Sequence, residues 1–210
     1  MSVLGELQPN KVFKYFEEIC SIPHGSRNLQ QISDYLVDFA KAHELKYRQD
    51  EDLNVIIWKD GSKGYEASEP VILQGHMDMV AVKEADCDKD MEKEGLDLEI
   101  NGDYISAKGT SLGGDDGIAV AYTLAVLDDE EMAHPPIEAI FTVNEEIGML
   151  GAATIDVSDL KGRLFMNMDS EDEGVFTVSC AGGASVICKI PYVADLGIDP
   201  AFYCQRPIAL

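Results

Sequence analysis

Three short apolar runs in this chain stop on charged side chains, and that repetition limits the folds open to it. "VILQ", Val71 to Gln74, runs into His76 and Asp78. "IEAIFTV", Ile137 to Val143, runs into Glu145 and Glu146. "RLFMNM", Arg163 to Met168, runs into Asp169. Each run has the length and content of a buried strand. Helical patterns lie among them. Val12, Phe13, Phe16, Ile19 and Cys20 share one face of a helix over Pro9–Cys20, with Pro9 suited to its first turn. Leu29, Ile32, Leu36, Phe39 and Ala40 do the same over Asn28–His43, with Ser26 or Asn28 as its cap. "GIAVAYTLAVL" after Gly113-Gly114-Asp115-Asp116 is apolar almost all round and reads as a buried helix, and "GMLGAATI" opens another. "NVIIW" is strand-like, and "LDLEI" and "YISAKG" around "NGD" read as a hairpin. Strands alternating with helices predict an α/β sandwich with a central, mostly parallel mixed sheet flanked by helices.

In open sheets of this kind, ligands bind at the carboxyl ends of the strands. One sheet edge then collects a histidine and several carboxylates. Without a cation that is unfavourable, because neighbouring like charges and burial both raise carboxylate pKa values. A divalent metal removes the conflict, and imidazole with carboxylates suits Zn²⁺, with Mn²⁺ or Co²⁺ as alternatives. Asp115 is placed to bridge two metals, which together activate a water and polarise a carbonyl. Asp78 is two residues from His76 and faces the same way in an extended segment. That suits it to orienting the imidazole. Of Glu145 and Glu146, one can ligate while the other serves as general base.

Taken singly, each residue has a plainer reading. His76 alone fits a satisfied core histidine. Asp115 fits a helix cap. Glu145 and Glu146 fit a solvated strand end, and Asp169 fits a turn. The repetition at three strand ends is what favours a metal. His24, in the loop "SIPHGS", reads as structural, and His43 and His134 read as surface residues. "DSEDEG" faintly matches a calcium loop, but its twelfth position is Cys180 where a bidentate Glu is needed.

The net charge of -23 over 210 residues argues against nucleic acid and against an anionic membrane surface. With 46% apolar and 26% charged residues and no low-complexity tract, a packed core is expected. The N-terminus lacks the pattern of a signal peptide. The longest apolar run, Ile118–Leu127, is about half a membrane span. Five cysteines without a C-x-x-C pair fit reduced thiols in a cytoplasm.

"GHMDMV", "GTSLGGDDGIAVA", "TVNEEIGMLGA", "NMDSEDEG" and "SCAGG", in this order, resemble the zinc dipeptidases of the M20 peptidase clan. The branch they fit best is aminoacyl-histidine dipeptidase, also called cytosol non-specific or Xaa-His dipeptidase, and "EEICSIPHGS" fits it too. The resemblance runs from Val3 to about Cys188. It implies a three-layer zinc-peptidase catalytic domain, with residues 1–188 its N-terminal portion and 189–210 a divergent tail where a lid domain would begin. By resemblance His76 and Asp169 bind one zinc, Glu146 the second, and Asp115 bridges them. Asp78 is the catalytic neighbour of His76 and Glu145 the general base. Asp116 stands where the branch often has Asn, and a cis peptide is implied between Asp115 and Asp116. The implied substrates are Xaa-His and other short dipeptides. Other M20 activities, on N-acyl amino acids or tripeptides, stay open. The family continues past this point into the lid, which carries its dimer contact, and then into a last zinc-binding histidine. No histidine follows His134 here. A truncated, frameshifted or fragmentary chain is therefore expected, as is the alternative that it is a non-catalytic remnant binding at most one metal.

Overall fold

The computed structural model describes residues 2–170 and 174–179. The chain divides into two units, Met1–Asp172 and Glu173–Leu210. The first holds every helix and strand among the described residues. Of the second, only 174–179 are described, and they form neither. The expected boundary at 188, the "SCAGG" motif and the tail 189–210 lie outside the described residues.

Strands β1 (Lys46–Gln49), β2 (Val55–Lys59), β3 (Val71–His76), β6 (Ile137–Thr142) and β7 (Leu164–Asn167) form one sheet in the order β1-β2-β6-β3-β7. β4 (Leu98–Asn101) and β5 (Tyr104–Ala107) form the expected hairpin. The five-stranded sheet is mixed. β3 is parallel to both β6 and β7, whereas β2 is antiparallel to β1 and β6.

Strand alternation sorts the core. Val55, Ile57, Leu73, Ala139 and Phe141 join a single apolar cluster with the three long helices. α1 (Asn10–Cys20) buries Val12, Tyr15, Phe16 and Ile19, and α2 (Gln30–Ala42) buries Ile32, Leu36, Phe39 and Ala40. α3 (Gly114–Leu127) is buried along most of its surface, as its composition predicts. A Cβ on Gly117 would touch the Phe16 ring at 3.4 Å, so α1 and α3 approach closely there. On the opposite face, Glu138 is buried among apolar residues, and its carboxylate accepts the backbone N–H groups of Lys161 and Gly162 at 2.9–3.0 Å. That pairing satisfies a charge that would otherwise be costly to bury.

Several expectations need correction. α2 begins at Gln30, and neither Ser26 nor Asn28 caps it, because both side chains are engaged elsewhere. "GMLGAATI" yields only the single turn α4 (Leu150–Thr154). β7 was expected to be buried, yet its residues are exposed, because among the described residues it pairs only with β3. His134 is buried rather than superficial. Its N–H donates to Ser62 Oγ at 2.8 Å and its ring Nδ1 lies 2.8 Å from the Pro135 carbonyl. β1, "KYRQ", has no apolar alternation to announce it, and Lys46 and Arg48 lie over the Trp58 ring.

Candidate metal centre

β3 and β6 are parallel, with His76 opposite Thr142, so their carboxyl ends open on the same sheet edge. His76 is the last residue of β3, and its side chain is 1% exposed. Ring Nδ1 lies 2.9 Å from the Asp78 carbonyl oxygen and 3.5 Å from Asp78 Oδ1. Nε2 lies 2.9 Å from Asp115 Oδ1 and 3.9 Å from Glu145 Oε2. Nδ1–H directed at Asp78 leaves Nε2 as the nitrogen facing the carboxylates.

Asp78 is equally buried, and both oxygens of its carboxylate accept a hydrogen bond. Ser26 Oγ donates to Oδ2 at 2.8 Å, and the Glu145 N–H donates to Oδ1 at 3.0 Å. One aspartate thus ties together the end of β3, the loop after α1 and the segment after β6. Asp116 supplies a second clamp, because its buried Oδ2 accepts the His76 backbone N–H at 3.2 Å. Gly75 makes that reach possible: a Cβ there would stand 2.8 Å from Asp116 Oδ2. Asp115 and Asp116 are joined by a cis peptide, and both lie outside helical φ/ψ values at the head of α3.

His76, Asp115 and Glu146 each offer one ligand atom, and these atoms lie within 4.8 Å of one another. Asp169 lies outside that group, exposed just beyond β7, and its charge reaches Asp116 and Glu145. The electrostatics match a site short of positive charge. Burial pushes the His76 pKa down, but Asp78, Asp116 and Asp115 outweigh it and hold it at about 10. Burial raises Asp116 to about 7, with Asp169 and Asp115 adding to the rise and His76 opposing it. Glu145 is raised by burial and by Asp169, Asp78 and Asp115. Glu146 is raised by burial and by Asp115. Asp78 moves the other way: burial opposes its charge, but His76, the Glu145 N–H and Ser26 lower its pKa. A divalent cation among His76, Asp115 and Glu146 would relieve this repulsion, and one nitrogen with carboxylate oxygens is a suitable donor set for zinc.

The sequence did not mark every residue that shapes the centre. Ser26 read only as a helix cap. Asn54 and Asn144 carried no signal, yet both pin the segment that bears Glu145. Asn54 is buried and accepts the Val143 N–H at 3.1 Å. Asn144 accepts the Arg27 N–H at 2.8 Å. His24 is buried, with Nδ1 2.6 Å from the Ile22 carbonyl.

Comparison with known proteins bears out the resemblance to dipeptidases read from the motifs. The chain is 39% identical over 199 residues to the cytosol non-specific dipeptidase of Escherichia coli K12, covering 95% of this chain and 40% of that relative. The crystal structure of aminoacylhistidine dipeptidase from Vibrio alginolyticus matches with a TM-score of 0.79 and 40% identity, over 81% of this chain and 35% of that one. A tripeptidase from Staphylococcus aureus shares the fold, with a TM-score of 0.65 at 23% identity over 80% of this chain and 45% of its own. No family model matches the chain. The chain thus spans less than half the length of each of these relatives. No helix among the described residues is long and apolar enough to cross a membrane.

Proposed function

We propose that this chain carries the metal centre of a metal-dependent dipeptidase, with zinc held by His76, Asp115 and Glu146. The observation that carries the reading is the convergence of those three ligand atoms within 4.8 Å at the carboxyl edge of the sheet. The similarity to a cytosol non-specific dipeptidase supports peptide hydrolysis as the reaction. His76, Asp115 and Asp169 would hold one metal, and Asp115 and Glu146 would hold a second.

Bound zinc would supply Lewis-acid polarisation and an acidified water. The chain's own residues do the rest. Glu145 accepts the proton of the attacking water at its carboxylate and returns it to the leaving amine. Burial and neighbouring carboxylates raise its pKa, which makes it a stronger base than a free glutamate. Its backbone is fixed by Asp78 through the Glu145 N–H, so the base and the imidazole keep one mutual geometry. Asp78 holds the His76 ring with Nδ1 protonated and leaves Nε2 as the ligand. Substrates in this reading are short dipeptides, Xaa-His among them.

Metal content and turnover test the reading together. The expected result is bound zinc and hydrolysis of an Xaa-His dipeptide. Glu145→Ala should abolish that hydrolysis while metal content stays unchanged. Turnover that survives Glu145→Ala removes Glu145 as the base, and a chain that binds no zinc removes the metal centre.

A further inference from the structure

The three strand ends that lead to the proposed ligands are cross-tied by a chain of side chains. Asn167 Nδ2 donates to Gln74 Oε1 at 2.5 Å, and Gln74 Nε2 donates to Thr142 Oγ1 at 3.2 Å. Gln74 lies two residues before His76 on β3, Asn167 two before Asp169 at the end of β7, and Thr142 three before Glu145 at the end of β6. The register brings them together, because Gln74 pairs with Asn167 and His76 with Thr142. Alternation along β3 puts Gln74 on the face that His76 occupies. It is the face away from the helices, since Leu73, Ala139 and Phe141 are the residues that join the helical cluster. Elsewhere that face carries Ile56, Ile72 and Ile140, all buried. A glutamine and a buried threonine in such company are unfavourable unless their polar atoms find partners. Both polar atoms of the Gln74 amide have one.

β7 is the strand that depends most on such a tie. Among the described residues it pairs only with β3, over four register pairs that end at Gln74 and Asn167. Its Leu164, Phe165 and Met166 are exposed. The end of a short strand paired on one side opens more readily than the middle of a sheet. Past the last pair, the Met168 N–H donates to the Gln74 carbonyl at 3.3 Å, long for a bond of this kind. Asp169 is the next residue. His76 and Glu145 have other holds, through Asp78 and Asp116. The end of β7 is held by Gln74 twice, once by its backbone and once by its side chain.

We propose that Gln74 is a positioning residue, whose amide keeps Asp169 within reach of a metal bound at His76. The inference rests on the metal-centre reading for the task of Asp169. Gln74 acts through that carboxylate, by fixing the end of β7 against the ends of β3 and β6. A carboxylate held near its bound position loses less freedom on ligation than one carried on a loose strand end.

The test uses the full chain and zinc, read by chelator competition, with amide hydrogen exchange of the metal-free chain as a readout that needs no metal. Gln74→Met keeps the length of the side chain and removes both of its hydrogen bonds. It should weaken binding of the tighter zinc about ten- to a hundred-fold. It should also speed exchange of the Met168 N–H about tenfold or more. Thr142→Val removes the far end of the tie and should move both readouts the same way, whereas Thr142→Ser should leave both at the parent values. Coupling separates positioning from general support. Gln74→Met added to Asp169→Asn should weaken zinc no further than Asp169→Asn alone. Losses that add, or Met168 exchange that is unchanged in Gln74→Met, would overturn the inference. If Gln74→Met fails to fold, Thr142→Val combined with Asp169→Asn completes the same cycle. A wild-type chain that binds no zinc, with Met168 exchange still responding to Gln74→Met, would overturn the metal-centre reading and the task assigned to Asp169 with it.

Discussion

Zinc entering this site must displace a proton that the metal-free chain holds tightly. His76 has a pKa of about 10: burial works against its charge, but Asp78, Asp116 and Asp115 more than offset it. At about pH 7 the ring is then some three units below its midpoint, and roughly one ring in a thousand is neutral. Metal requires the neutral imidazole. Removing that proton costs about 4 kcal/mol at neutral pH, so zinc affinity should climb about tenfold per pH unit between about pH 7 and 9. The perturbation is pH alone. The assay is chelator competition for zinc, with the His76 ring of the metal-free chain followed by NMR. The expected ring midpoint is near 10 rather than the ordinary value of about 6.5. The sign for folding runs opposite to that for metal. A raised histidine pKa contributes stability that is full below about 6.5 and is lost as pH rises through about 10. The metal-free chain should therefore weaken across that window while zinc binding strengthens. A ring that titrates near 6.5, or zinc affinity that is flat between about pH 8 and 9, would show that His76 holds no such proton.

Other perturbations have equally definite outcomes. Ser26→Ala removes one of the hydrogen bonds that hold Asp78, and should weaken zinc binding by about ten- to a hundred-fold with little change in melting temperature; isothermal titration and a thermal melt measure both. Asp78 has a depressed pKa, so its contribution to stability is present above about 3.9 and should fade as pH drops through its lower folded value, visible as a decline in denaturant midpoint below about pH 4. Leu124 is fully buried in the cluster between α1, α3 and the sheet, and Leu124→Ala should cost about 2–5 kcal/mol in chemical denaturation. Asn54→Ala should lower activity more than zinc content, because Asn54 holds the segment bearing Glu145 rather than a proposed ligand.

The parts of the site legible in the sequence are those that local physics writes into it. His76 and Asp78 follow an apolar strand directly, and Glu145 and Glu146 follow another, so burial and charge collide within a few residues. α3 was legible from its composition, because a helix apolar on nearly every side has only the core in which to sit. The supports were not legible. Ser26 reaches Asp78 across 52 positions, Asn54 reaches Val143 across 89, and Arg27 reaches Asn144 across 117. Nothing local announces such a pairing, and a serine before a helix is a cap by every local rule. β7 misled for a related reason. Its apolar residues describe what the strand can pair with, whereas its exposure depends on which neighbours are beside it. His134 misled because a polar turn sequence hid a ring packed on its own carbonyl network.

Anomalous diffraction at the zinc edge from crystals of the zinc-loaded chain reads the ligand set itself. The expected map has one zinc about 2 Å from His76 Nε2 and an Asp115 carboxylate oxygen, and a second about 2 Å from carboxylate oxygens of Asp115 and Glu146. A zinc peak held by other residues, or no peak among these three side chains in crystals soaked to saturation, would contradict it.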